Sequence, residues 1–163
     1  MKLEKILVSA CLVGERVRYN GVAKKFDNQI LKYWRSNELV VAICPEVAGG
    51  LPVPRSSSEI SHGDGNQVLK GHDRIVNING QDVTKYFLAG AQKTLLLVRL
   101  HKIKLAILKE GSPSCGSSYI YDGSFSKIKK PGKGVTAALL EENDIRVFSE
   151  LEISKAEKYL KLL

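Results

Sequence analysis

With 163 residues, 44% of them hydrophobic and 26% charged, the chain has the balance of a soluble globular protein and the length of a single domain, expected over 1–163. No apolar run reaches the roughly 18–20 residues that cross a bilayer, three widely spaced cysteines argue against a disulfide framework, and a cytoplasmic location is expected from the N-terminus, which reads as a strand and not a leader. The formal net charge of +8 favours anionic partners such as RNA, nucleotides or phosphate, but no stripe of aromatics interleaved with arginine accompanies it.

The opening "MKLEKILVSACLVG" has too short an apolar stretch for a secretory leader, and "EKILVSA" (4–10) reads as a first buried strand. "DNQILKYWRSN" (27–37) places Ile30, Leu31, Tyr33 and Trp34 on one helix face, with Asp27 as the expected N-cap. "ELVVAIC" (38–44) is a second buried strand, rich in β-branched residues. "GNQVLKGHDRIVNINGQD" (65–82) is expected to form two short strands around a Gly-His-Asp turn, a hairpin at a sheet edge. "DVTKYFLAGAQKTLLLVRLHK" (82–102) is the longest helix, with Val83, Phe87, Ala91, Leu95 and Val98 three or four apart and Asp82 able to cap it. "IKLAIL" (103–108) is a third strand, "GVTAALLEEN" (134–143) a short helix, "IRVFS" (145–149) a fourth strand, and "ELEISKAEKYLKLL" (150–163) a closing amphipathic helix. Buried strands joined by helices predict a three-layer α/β/α, Rossmann-like domain with a mainly parallel sheet and a small β-hairpin excursion. The segments 45–81 and 109–133 would lie at the end of the sheet. Neither G-x-G-x-x-G nor G-x-x-x-x-G-K-[ST] is present.

All three cysteines follow carboxyl ends of predicted strands: Cys11 after "ILVSA", Cys44 after "LVVAI", Cys115 in the loop after "LAIL". In an open α/β sheet those ends share one edge, where ligands bind. Converging thiolates suit zinc or an iron–sulfur group. A closed structural site takes four protein ligands, whereas three cysteines with no nearby histidine fit an open one; a [4Fe–4S] cube held by three thiolates exposes one iron. His62, His72 and His101 are scattered. Ser9, Ser112, Ser114 and Ser117 are candidate hydroxyl donors, and the alternative for each is turn formation. Glu46, two residues past Cys44 in "CPE", is either a general acid/base or a helix N-terminal residue.

"VSACLVGERVRYNG", "CPEVAGGLPVPR", "GQDVT", "ILKEGSPSCGS", "IYDGSF" and "GVTAALL" together resemble the thiouracil desulfidase family, from Lys5 to about Ser149. The resemblance implies a [4Fe–4S] enzyme that removes sulfur from a thiolated pyrimidine without net redox change. It implies Cys11, Cys44 and Cys115 as cluster ligands, with one iron left open, and Glu46 and Ser112 as catalytic residues. Ser9, Arg55 and Ser114 are expected to contact substrate, and Arg16, Arg18, Tyr19 and Lys24 are further candidates for the pocket. Ser56, Ser57 and Ser58 replace a stretch that is proline-rich in relatives, which bears on substrate identity. The expected partners are a small thiolated pyrimidine or thio-nucleoside or nucleotide, a tRNA fragment as a larger form, and the cluster-assembly machinery. Two other readings stand beside this one. A zinc nucleobase hydrolase would use three Cys and a Glu, though H-x-E and P-C-x-x-C are missing. A non-catalytic RNA- or nucleotide-binding module would use the positive charge.

Overall fold

The computed structural model describes residues 3–22 and 26–163; Lys24 lies outside them. In chain order the elements are β1 (Ile6–Ser9), a 3₁₀ turn (Ala10–Val13), α1 (Gln29–Ser36), β2 (Val40–Ile43), α2 (Pro45–Ala48), β3 (Ser58–Ile60), α3 (Gly65–Leu69) and β4 (Ile75–Asn77). There follow α4 (Thr84–Leu100), β5 (Leu105–Leu108), β6 (Tyr119–Tyr121), β7 (Lys129–Pro131), α5 (Val135–Glu142), β8 (Arg146–Ser149), a 3₁₀ turn (Glu150–Glu152) and α6 (Ile153–Leu160).

Four strands form a parallel sheet in the order β2-β1-β5-β8, with Ile6 opposite Val40, Leu7 opposite Ala106 and Leu105 opposite Arg146. The inner strands β1 and β5 are buried along their whole length, as continuous apolar runs require. Alternation sends Leu7, Ala106 and Leu108 to one face, against Phe87, Ala91 and Leu95 of α4 and Leu140 of α5. Ile6, Val8, Leu105 and Ile107 face the other way, against Leu31 and Trp34 of α1 and Ile153 and Ala156 of α6. The result is the expected three-layer α/β/α arrangement. Each fully buried aliphatic or aromatic side chain contributes about 1.5–3 kcal/mol to it.

The structure corrects several of these expectations. Strand β2 is half-buried, with Ala42 exposed; it is an edge strand, paired among the described residues with β1 alone. Helix α1 is capped by Asn28, not Asp27: Asn28 has extended backbone, and its Oδ1 accepts from the N–H groups of Ile30 (2.8 Å) and Leu31 (3.2 Å). Tyr33, on the expected buried face, is exposed. The first half of 65–82 is helix α3, started by Asp64, whose Oδ1 accepts from Asn66 N–H at 3.0 Å; β4 pairs instead with β3, in a ribbon apart from the main sheet. The polar "SSSEI" around β3 carries one buried residue, Ile60, too little to read as a strand. Asp82 accepts from Thr84 N–H at 3.0 Å, but the N-cap of α4 is Val83, one residue further on, so Asp82 is not the cap. The closing helix starts late, at Ile153, after a 3₁₀ turn with a capping box between Ser149 and Glu152.

Two glycines bring α2 flat onto α4. A Cβ on Gly49 would lie 1.9 Å from the Tyr86 carbonyl oxygen, and one on Gly90 the same distance from that of Pro45. Backbone therefore packs on backbone directly beneath Pro45 and Glu46.

Candidate active site

The chain runs from β1 outward to β2, then returns to the other side of β1 to lay down β5. This reversal opens a crevice at the carboxyl ends of the strands, a cleft of about 610 Å³. Cys11 enters it from the 3₁₀ turn after β1. Cys44 enters from the N-cap of α2, where Pro45 takes the first helical position. Cys115 enters from the loop after β5. All three are free thiols; Cys11 and Cys115 are buried and Cys44 half-buried, its Sγ 3.8 Å from the Val17 carbonyl oxygen.

Burial pushes all three thiols up, Cys11 to about 11, and proximity adds to it: Cys44 raises Cys11, and Cys44, Glu46 and Cys11 raise Cys115. The mutual repulsion marks four neighbouring groups that avoid carrying negative charge together. Such a site becomes a thiolate site when positive charge enters it. Among the described residues no group of three or more His, Cys, Asp or Glu is set to hold a metal ion; three soft sulfur donors line one cleft, a donor set whose chemistry suits zinc or an iron–sulfur group.

Glu46 sits in the first turn of α2, half-buried and lining the cleft. Burial raises its pKa, and the Arg55 guanidinium, 3.3 Å from Oε2, works against that rise. Arg55 has only 5% of its side chain exposed. Its Nη1 donates to the Pro52 carbonyl and its Nη2 to that of Val17, each at 3.1 Å. Its Nε is buried with no partner among the described residues. A fixed guanidinium beside a carboxylate, with N–H groups not engaged by the described residues, is an arrangement suited to a ligand oxygen.

Ser112 lines the cleft, and its Oγ accepts from the N–H groups of Ser114 (3.0 Å) and Cys115 (3.2 Å). Its turn-forming role and its place in the cleft coexist, because the hydroxyl hydrogen remains free to donate. Ser9 also lines the cleft, and its Oγ accepts from Lys109 N–H at 2.9 Å, tying the end of β1 to that of β5.

Ser114 departs from expectation. It is fully buried, lies outside the cleft lining, and pairs with the Thr136 hydroxyl at 2.8 Å under α5, so it is not placed to touch a ligand there. Ser117 is likewise turned away, its N–H and hydroxyl both donating to Glu110. Arg18 and Tyr19 line the cleft, while Arg16 and the three histidines do not.

Other lining residues escaped the sequence reading. The hairpin of β6 and β7 brings Tyr119, Tyr121, Phe125, Lys127 and Lys129 to the cleft mouth. Lys129 Nζ lies 4.5 Å from the Tyr119 ring centre, and Tyr121 meets that ring edge-on. Glu59 ties down the hairpin tip by accepting from Gly123 N–H (2.9 Å) and Phe125 N–H (3.2 Å). The alternation in "YIYDGSFSKIKK" was the signal for this hairpin, masked by its lysines, which resemble any solvated surface run.

Three comparisons bear on this site. The family model for 2-thiouracil desulfurase matches residues 6–152. The uncharacterized protein YbbK of Bacillus subtilis (strain 168) is 46% identical over 149 residues, covering 91% of this chain and 97% of that protein. The solved structure of the [4Fe-4S]-dependent thiouracil desulfidase TudS superposes with a TM-score of 0.90 at 42% identity, covering 98% of this chain and 99% of its own. Matches of this extent take in every strand that delivers a cysteine to the cleft, and the chain belongs to the 2-thiouracil desulfurase family.

Proposed function

We propose that this protein removes sulfur from a thiolated pyrimidine by hydrolysis, C=S and water giving C=O and hydrogen sulfide, with Cys11, Cys44 and Cys115 holding a [4Fe–4S] cluster that keeps one iron open. The observation that carries this reading is the meeting of three thiols, from three separate strand ends, in one cleft with Glu46. A cluster held there supplies a soft Lewis-acidic iron that prefers a thiocarbonyl sulfur to an oxygen. The [4Fe-4S] dependence of TudS and its action on thiouracil support the same reading.

Glu46 is the general base. Its Oε1 takes a proton from the water that attacks the thiocarbonyl carbon, while Arg55 keeps Oε2 in place. The second water proton also leaves with the sulfur, and the proton held on Glu46 follows it, so the carboxylate is restored. Ser112 donates its hydroxyl hydrogen to the substrate. Arg55, which lines the cleft, donates a guanidinium N–H to a ring carbonyl oxygen, and Ser9 contacts the ring from the β1 side.

A bare pyrimidine fills only part of about 610 Å³. The aromatic rings and lysines at the mouth offer stacking and charge for more than a base. A thio-nucleoside or thio-nucleotide fits that lining, a tRNA fragment being a larger form of the same chemistry. The cluster-assembly machinery would supply the cofactor.

The test is anaerobic reconstitution followed by a sulfide-release assay over thiouracil, a thiouridine and its monophosphate. About four iron atoms per chain and sulfide from at least one substrate are expected. One zinc per chain without iron favours the hydrolase alternative. RNA binding that falls with salt and survives replacement of all three cysteines favours the binding module.

A further inference from the structure

A second buried carboxylate stands behind the cysteine loop and has no part in the chemistry above. Glu110 is 4% exposed. Its Oε1 accepts from the N–H groups of Ser117 (2.8 Å), Ser118 (2.9 Å) and Tyr119 (3.3 Å), and its Oε2 from the Ser117 hydroxyl at 3.2 Å. Burial by itself would raise its pKa, but the N–H groups of Ser118, Ser117 and Tyr119 outweigh burial and hold the carboxyl below its usual range, so it is charged at neutral pH.

The other end of the loop is held as firmly. Glu110 N–H donates to Glu150 Oε2 at 2.8 Å. Lys109 Nζ bridges Glu150 Oε1 and the Glu110 carbonyl oxygen, each at 2.9 Å. Between the two ends lie Ser112 and Cys115. Stability alone does not call for a buried carboxylate here, since burying charge is expensive and a well-packed apolar residue often serves as well. What the carboxylate adds is geometry. Two oxygens, acceptors only, gather three successive N–H groups and a hydroxyl and so bend the chain back sharply after Cys115.

We propose that Glu110 is the positioning residue of this loop: its carboxylate holds residues 112–119 in the curve that presents Cys115 to the cleft before any cofactor arrives. The proposal rests on Cys115 being a cluster ligand, and its test separates the two claims. In the iron-free protein, amide hydrogen exchange read by mass spectrometry reports the loop directly. Glu110→Gln keeps one acceptor oxygen for the three N–H groups but removes its charge, and puts an NH₂ donor in place of the oxygen that the Ser117 hydroxyl meets, so those bonds lose their charge assistance. It is expected to raise exchange at 117–119 at least about tenfold, leaving β1 and β5 unchanged. It is also expected to speed alkylation of Cys115 by iodoacetamide relative to that of Cys11. After reconstitution, its cluster should be lost to a chelator about 10–100-fold faster than that of the unaltered protein, the usual effect of removing an outer hydrogen-bond support. The electron paramagnetic resonance spectrum of the reduced cluster should also shift. Glu110→Asp keeps the charge with a shorter reach; it should fall between the two, and it decides the matter if the Gln variant does not fold.

Unchanged exchange at 117–119 overturns the proposal. Raised exchange with an unchanged rate of cluster loss and an unchanged spectrum also overturns it, since the loop is then held for its own stability alone. Unaltered protein that takes up no cluster, while exchange responds as expected, refutes the reading of Cys115 as a ligand and the positioning role with it.

Discussion

Replacing Gly90 by alanine sets two known effects against each other. Alanine is the better helix former by roughly 0.8–1 kcal/mol, so α4 taken alone predicts stabilisation. The structure predicts the opposite. The new Cβ would lie 1.9 Å from the Pro45 carbonyl oxygen and 2.7 Å from its carbon, where real Cβ atoms keep at least 3.0 Å. The obstacle is backbone, which no rotamer change relieves, so α2 must withdraw by about 1 Å, and overpacking of this kind costs about 1–3 kcal/mol. For a chain of this size that corresponds to a fall in Tm of about 2–12 °C, less what the helix gains. The functional effect should exceed the thermal one. Cys44 is the N-cap of α2 and Glu46 lies in its first turn, so both move with it, and a displacement of about 1 Å at a reacting group can lower turnover about 100-fold. Thermal melts of the iron-free protein, iron content after reconstitution and sulfide release would read the three consequences. A Gly90→Ala protein that melts above the original and retains full turnover would refute the claim that backbone contact between α2 and α4 positions the site.

Glu46→Gln is expected to keep the iron content and lower turnover by about 10²–10⁴; full activity with intact iron would remove its role as base. Arg55→Lys loses the planar guanidinium that holds Glu46 and should reduce kcat/KM for sulfide release by about 10–100-fold, whereas unchanged values would show that neither Glu46 nor a ligand depends on it. Ser114→Ala leaves the buried Thr136 hydroxyl without its partner and should lower stability by about 1–3 kcal/mol in denaturant melts with KM unchanged; a raised KM would return Ser114 to the substrate. Asp73 tests pH dependence: burial raises its pKa, but the N–H groups of Gly63, Arg74 and His62 outweigh burial and hold it below the usual range. Its contribution is therefore complete above about pH 4, where an unfolded aspartate ionises, and is lost as pH falls through the lower folded value. Asp73→Asn should melt earlier at pH 7 and converge with the original protein in acid; a gap that persists at low pH would contradict that assignment.

The four sheet strands, the long helix and the placing of all three cysteines after strand ends were legible in the residues, because an apolar run and its boundary are properties of neighbours in the chain. Parallel strands then force those boundaries to one edge, so the cleft follows from local pattern and one rule of topology. What required the fold was every choice between long-range partners. The fold makes β2 an edge strand, with Ala42 exposed. Ser114 and Ser112, two residues apart in one loop, face Thr136 and the cleft respectively. The unused Nε of Arg55, the glycine contact between α2 and α4 and the capture of Glu110 by three N–H groups join residues distant along the chain or fix directions within a loop. Periodicity tells a residue whether to be buried, but only packing decides what it meets there, since a side chain's direction is set by whatever has already filled the space beside it.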